Sequence, residues 1–346
     1  MNTKRLTLIE FGEIPPTYPT TAMKIWTLFS IATLGIAGMG FGQYATDPVG
    51  FTNLAAPAGT SLVVPTMLEG WTFRGQATIS GDGLTVTPVL TTNWTVGQFA
   101  GTSFTAPQPN FPRYYVEIAS GVQEGLIVDI NNNTVSNISV HAGDFPPALR
   151  GTTVEIMVRK HLTLDKAFQG AVGLSAYQDS VSVFNSDGSQ SLCNFDGSSF
   201  VDGSFVNGVG HTVIYPGTGF VFNAAEPVTF TFMGSVKTTK TKVPLYAGVT
   251  NIVGPLNPSS ATLLNSGGSL AAALEPYQDG INNFSTNGQM GILGAYSSDG
   301  SVILDGSFSP LAPNATDAIP LNRGVVVSVV NDTVWTVDSP IPPPAP

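Results

Sequence analysis

Asp or Asn followed directly by Gly punctuates this chain, at Asp82-Gly83, Asp187-Gly188, Asp196-Gly197, Asp202-Gly203, Asn287-Gly288, Asp299-Gly300 and Asp305-Gly306. Such a pair tolerates positive φ and reverses the backbone within two residues, which suits a tight turn between strands. Between the turns lie short alternating or β-branched runs: Ser61 to Thr66, Leu84 to Val89, Tyr114 to Ile118, Leu126 to Ile130, Val154 to Val158, Val181 to Phe184, Gly219 to Phe222, Val228 to Phe232 and Gly324 to Val330. Runs of that length and period read as strands. Leu164 to Gln169 and Leu270 to Glu275 read as short helices, the second with Ser269 as N-cap and Pro276 as its stop. The predicted fold is all-β, a multi-module β-sandwich or barrel architecture with short helices.

The turns also carry an internal repeat. Tyr177-Gln178-Asp179, Phe184 and Gly188 return 100 residues later as Tyr277-Gln278-Asp279, Phe284 and Gly288. Asp202-Gly203-Ser204-Phe205 returns as Asp305-Gly306-Ser307-Phe308, and Pro216 and Gly219 return as Pro320 and Gly324. Collinear matches of several residue types point to duplicated modules. The expected organisation is a leader and signal peptide over 1–42, an N-terminal β region over 43–159, β repeats over 160–240 and 241–339, and a Pro-rich tail over 340–346. The connector near Val236 to Val243 carries Lys237, Lys240 and Lys242 and reads as a solvated linker.

Within the leader, Lys24 precedes the apolar run Ile25 to Ala37 and the small residues Gly38, Gly40 and Gly42. That layout is a signal peptide with Met23 as the true start and cleavage near Gln43, so the protein is expected to be secreted or displayed at the cell surface. No run reaches the roughly 20 apolar residues of a transmembrane helix. Without residues 1–42 the chain keeps 10 Lys and Arg against 21 Asp and Glu, a formal net charge of −11. Nucleic acid is therefore not an expected partner. Cys193 has no second cysteine to pair with and reads as a buried thiol.

Several motifs resemble a paralogous family of exported β-rich proteins of unknown function from verrucomicrobial-type bacteria. They are Thr46-Asp47-Pro48-Val49-Gly50-Phe51, Pro57-Ala58-Gly59, Tyr114-Tyr115-Val116, Ser120-Gly121, Glu124-Gly125-Leu126, His161-Leu162-Thr163-Leu164, Asn257-Pro258-Ser259-Ser260-Ala261, and Pro320 with Gly324. The sequence departs from that family where a Trp-rich strand would follow the Tyr-Gln-Asp region. The resemblance implies export, β architecture and inert glycosylation sequons at Asn93, Asn137 and Asn314, and it implies no chemistry.

No catalytic, metal or cofactor constellation stands out. His141, His161 and His211 lack zinc spacing and read as surface or turn histidines. Glu117, Glu124 and Asp129 sit close enough for a hairpin to pair two carboxylates, the minimum for glycoside cleavage, though Glu124-Gly125 more simply makes a turn. The Asp-Gly aspartates read as turn formers and not as calcium ligands. Tyr177, Asp179, Tyr277 and Asp279 are the candidate ligand-facing residues, because no turn demands a Tyr-Gln-Asp triplet. The aromatic pool Trp71, Trp94, Tyr114, Tyr115, Tyr177, Tyr277 and Trp335 decides between functions: an exposed set supports sugar stacking, a buried one a structural role. The expected function is a non-enzymatic structural or adhesive protein whose partner is another copy of itself or a cell-envelope polysaccharide. A carbohydrate-binding protein and, behind it, an extracellular hydrolase are the alternatives.

Overall fold

The computed structural model describes residues 47–101, 111–256, 270–284, 292–311 and 324–341. The signal segment, the Ser269 cap, the Asn287-Gly288 turn and Pro320 lie outside the described residues. Within them the protein is all-β, with two short α-helices, Leu164–Phe168 and Leu270–Ala273, and one 3-10 turn, Pro147–Leu149. Thr163 Oγ1 caps the first helix by accepting the Lys166 N–H, satisfying one of the donors that a helix start leaves open.

Residues 71–160 build a seven-stranded antiparallel sheet, in the order Ile127–Asp129, Tyr114–Ile118, Thr153–Lys160, Trp71–Ile79, Thr85–Pro88, Ile138–Ser139 and Asn132–Asn133. Its core holds Ile79, Phe99, Ile118, Ile138, Phe145 and Ile156. Edge-to-face contacts run from Phe73 through Trp94 and Phe99 to Tyr114, with centroids 5.1 to 5.3 Å apart.

Two five-stranded antiparallel sheets follow. One has the order Gly59–Val63, Phe220–Ala224, Ser180–Phe184, Gln190–Phe195, Phe200–Asp202; the other has Asn251–Val253, Val325–Ser328, Gly280–Phe284, Ile292–Ser298, Ile303–Leu304. Position by position, the two sheets share one connectivity. Each is accompanied by a strand pair, Val49–Ala56 with Val228–Ser235 and Thr241–Leu245 with Thr333–Val337, and in each the short helix comes between the first and second strands of the sheet in chain order. The segment read from sequence as one region over 43–159 is thus divided: Val49–Ala56 and Gly59–Val63 pair with strands beyond residue 219, and residues 71–160 form the separate sheet inserted after them. Distance along the chain concealed this, since antiparallel partners as far apart as Val63 and Phe220 leave no local pattern.

Aromatic packing of Phe168, Phe200, Phe220, Phe222 and Phe230 fills the first of these bodies, and Trp335 with Val243, Leu245, Ile281 and Val325 fills the second. Between them lies a smaller cluster of Leu62, Val64, Val221, Ile252 and Val326, flanked by Phe184 and Phe284. Three pairs in it hold matching places in the two sheets: Leu62 with Ile252, Val221 with Val326, and Phe184 with Phe284. Gly219 enters here because a Cβ would stand 2.5 Å from the Val63 carbonyl oxygen.

The lysine connector is not wholly solvated. Lys237 is buried, and its Nζ donates to Glu117 and to Thr239. Glu117 also accepts from Arg159 Nε at 2.9 Å, and Arg159 Nη2 donates to Asp47 Oδ2 at 2.5 Å. Burying a cation costs several kcal/mol unless it is paired. Here the pairing fastens the connector to the seven-stranded sheet.

Candidate functional site

Tyr177 lies within the turn that leads into Asp179, and Tyr277 within the one that leads into Asp279. Asp179 is 1% exposed and Asp279 3%. Asp179 Oδ2 accepts the Ser175 N–H and its Oδ1 the Ala225 N–H, each at 2.8 Å. Asp279 repeats both bonds, from Glu275 N at 2.7 Å and Val330 N at 2.8 Å. The two aspartates are therefore turned inward, where each ties its loop to the strand end beside it, and the ligand-facing expectation separates into an inner carboxylate and an outer ring.

The tyrosines are the outer part. Tyr177 is 69% exposed and Tyr277 62%. Their amides are anchored, Tyr177 N–H to the Phe195 carbonyl at 2.7 Å and Tyr277 N–H to the Ser298 carbonyl at 2.8 Å, while the rings project. Each has an aromatic neighbour from a later Asp-Gly-Ser-Phe turn: Tyr177 and Phe205 have centroids 6.0 Å apart at 40°, and Tyr277 and Phe308 6.3 Å apart at 47°. Phe205 and Phe308 are 48% and 65% exposed.

These four are the non-glycine residues of positive φ among the described residues, at 62°, 59°, 58° and 58°. Left-handed backbone at a bulky residue is a genuine outlier, costing on the order of 1 to 3 kcal/mol each. Gly203 and Gly306, the expected bearers of positive φ in their turns, do not adopt it, whereas Gly83, Gly188, Gly197 and Gly300 do. The turn passes the strained position to the Phe two residues on. Sequence reading paired Phe205 with Phe308 as repeat matches but had no signal that either is exposed or lies beside a Tyr.

The turn aspartates hold their own loops. Asp202 Oδ1 accepts Ser204 N–H and Oγ–H, and Asp305 Oδ1 accepts Ser307 N–H and Ser309 N–H. The Ser204 hydroxyl, with help from Asn207, holds the Asp202 carboxyl below the usual carboxylate range. Among the described residues no group of three or more His, Cys, Asp or Glu is arranged to hold a metal ion.

The remaining candidates disperse. Glu117 lies in the buried ion network, Glu124 Oε1 accepts the Lys240 N–H at 3.0 Å, and Asp129 meets His161 and Tyr215. The hairpin does not pair them, because Tyr115 stands opposite Asp129 and Glu117 opposite Ile127. His161 is buried and not a surface residue, its ring between Tyr115 and Tyr215. Trp335 and Tyr115 are buried, while Trp71, Trp94 and Tyr114 are half-buried, so the exposed members of the aromatic pool are Tyr177 and Tyr277.

No helix among the described residues is long and apolar enough to cross a membrane. Comparison of the chain with protein-family models, with curated proteins and with solved structures finds no match in any of the three.

Proposed function

We propose that this chain is an exported, non-enzymatic adhesion protein that holds a cell-envelope polysaccharide on two equivalent aromatic pairs, Tyr177 with Phe205 and Tyr277 with Phe308. The observation that carries this reading is that all four rings are exposed although each sits on strained, left-handed backbone. A fold seeking stability alone would place Gly or Asn there. Strain of this kind clusters where a contact to another molecule repays it. A pyranose ring presents an apolar C–H face that lies against the electron-rich face of an aromatic ring, and two tilted rings about 6 Å apart, in contact with each other, offer one sugar unit a joint apolar platform.

On this reading the shared connectivity of the two five-stranded sheets comes from duplication of one module, the seven-stranded sheet being an insertion into the first copy. Duplication gives two weak sites on one chain, and a polymer with repeating units engages both with an effective concentration in the millimolar range. Export follows from the Met23 to Gly42 segment, and the family resemblance is consistent with it.

The test is retention on insoluble peptidoglycan and cellulose. The parent is expected to be retained, the double variant Tyr177→Ala/Phe205→Ala to be retained at least tenfold more weakly, and the variant with all four rings replaced to flow through. Equal retention of parent and fourfold variant overturns the reading. A self-adhesive role has its own support in Val206, 77% exposed beside Phe205. It predicts sedimenting oligomers of the parent that dissociate in the fourfold variant, with no polysaccharide needed.

A further inference from the structure

A second concavity lies away from the aromatic pairs, where the end of the seven-stranded sheet meets both five-stranded bodies. It encloses about 570 Å³, within the roughly 300 to 1,000 Å³ of small-molecule sites. Asp129 and Asp144 line one side, and Phe111, Phe184, Tyr215 and Tyr246 contribute aromatic wall.

Asp129 is fixed before any ligand arrives. His161 Nε2 lies 3.0 Å from its Oδ1, and the Tyr215 hydroxyl donates to its Oδ2 at 2.7 Å, with the carboxylate side chain still 29% exposed. An ionised carboxylate only accepts, so Nε2 carries the proton. That leaves His161 Nδ1 buried without a hydrogen-bond partner, a cost the fold bears while the ring's other nitrogen orients Asp129. A carboxylate held this way loses little freedom on binding.

The charge is lopsided. Asp144 Oδ2 accepts the His141 N–H at 3.1 Å; burial pushes the Asp144 carboxyl up, the His141 N–H and imidazole oppose that, and the charge of Asp129 adds a smaller push upward. Among the described residues no Lys or Arg lines the cavity, and His141 is the one imidazole that does. Two carboxylates lining a partly desolvated, aromatic-walled space favour a positively charged guest over a neutral one. Aromatic faces attract the same charge. A bare divalent metal is a poor fit, since among the described residues no third acidic or imidazole side chain is arranged with them to hold one.

We propose that this cavity binds a small organic cation, a monovalent ammonium compound whose charged group lies against Asp129 and Asp144 and whose apolar body contacts the aromatic wall. The site is independent of the polysaccharide reading, and either can fail without the other.

Titration calorimetry of the full chain tests it, with choline as the probe and 3,3-dimethyl-1-butanol, its neutral isostere, as the control. Salt is set at about 150 mM, where the Debye length is ~8 Å and diffuse attraction to an acidic protein is screened. The expected result is saturable binding of choline at one site, at least tenfold weaker binding of the isostere, and at least tenfold loss in Asp129→Asn/Asp144→Asn. Tyr215→Phe, which frees one side of Asp129, gives an intermediate loss, and the exposed, remote Glu226→Gln binds as the parent does. The proposal is overturned if choline and its isostere bind alike, if Glu226→Gln weakens choline as much as the aspartate changes do, or if glucose binds and choline does not. Thermal melting of each variant confirms that the fold is intact, and a variant that melts early is replaced by Asp129→Glu, which keeps the charge but misplaces it and is expected to weaken choline.

Discussion

Arg159 Nε donates to Glu117 Oε2 at 2.9 Å with both side chains fully withdrawn from solvent. Strands Tyr114–Ile118 and Thr153–Lys160 supply the two residues, and Lys237, from the connector between the two five-stranded bodies, closes on the same carboxylate. A charged cluster at the joint between elements makes their union sensitive to any change in one member.

The first consequence is mutational. Lys237→Met leaves Glu117 and Arg159 buried with one cation fewer and is expected to cost about 3 to 5 kcal/mol. Adding Glu117→Gln should recover part of that loss, because the uncompensated charge is gone. Denaturant midpoints of the two single variants and the double variant measure the coupling, and strictly additive losses would show that the pair does not interact.

The second is a dependence on acid. Burial alone pushes the Glu117 carboxyl up, but Lys237 and then Arg159 outweigh it and hold the group at about 2, below its ordinary 4.5. The folded state thus binds fewer protons than the unfolded one, so this contribution is complete above 4.5 and is lost as pH falls toward 2. Unfolding free energy measured across that window should fall with a shallower slope in Glu117→Gln. Some slope remains in the variant, since Asp82, Asp187, Asp196 and Asp299 are also held low by hydrogen bonds in their turns.

Asp179 and Asp279 should be equally expensive to remove. Each alanine variant leaves two backbone N–H donors without their acceptor, at about 1 to 3 kcal/mol per unsatisfied group when buried. Urea denaturation of Asp179→Ala and Asp279→Ala should give losses alike in size. A large loss in one and none in the other would mean that the loops are not equivalent.

The exposed rings should behave in the opposite way. Tyr177→Gly gives up little burial and relieves left-handed strain, which at the low end of its range is about 1 kcal/mol, against the similar entropic cost of glycine. Stability is expected to stay within about 1 kcal/mol of the parent, while Phe230→Ala, at the centre of the first core, loses about 3 to 5 kcal/mol. Calorimetric melting separates the two, and a steep loss in Tyr177→Gly would show the ring to be structural.

Cys193 offers a check on the core itself. Burial pushes its thiol up to about 11, with a hydrogen bond to Thr212 opposing, so almost no thiolate exists at pH 8. Reaction with a disulfide reagent should be slow in the folded protein and fast in urea. Rapid labelling of the native chain would place the thiol at the surface.

What the sequence determined by itself is local. Tyr114 to Ile118 and Val228 to Phe232 could be read as strands, and Leu164 to Gln169 as a helix, all three overlapping the observed elements, because side-chain period and turn chemistry act between residues near one another in the chain. What only the tertiary structure decided is who meets whom. Val49–Ala56 pairs with a strand about 180 residues away, Lys237 leaves solvent to meet Glu117, and Phe205 reaches Tyr177. The same Tyr-Gln-Asp triplet put one residue inside and another outside, although both are polar. The physical reason is that burial and charge pairing are properties of packed surfaces, and a strand's pattern specifies which face is apolar without naming the surface that covers it.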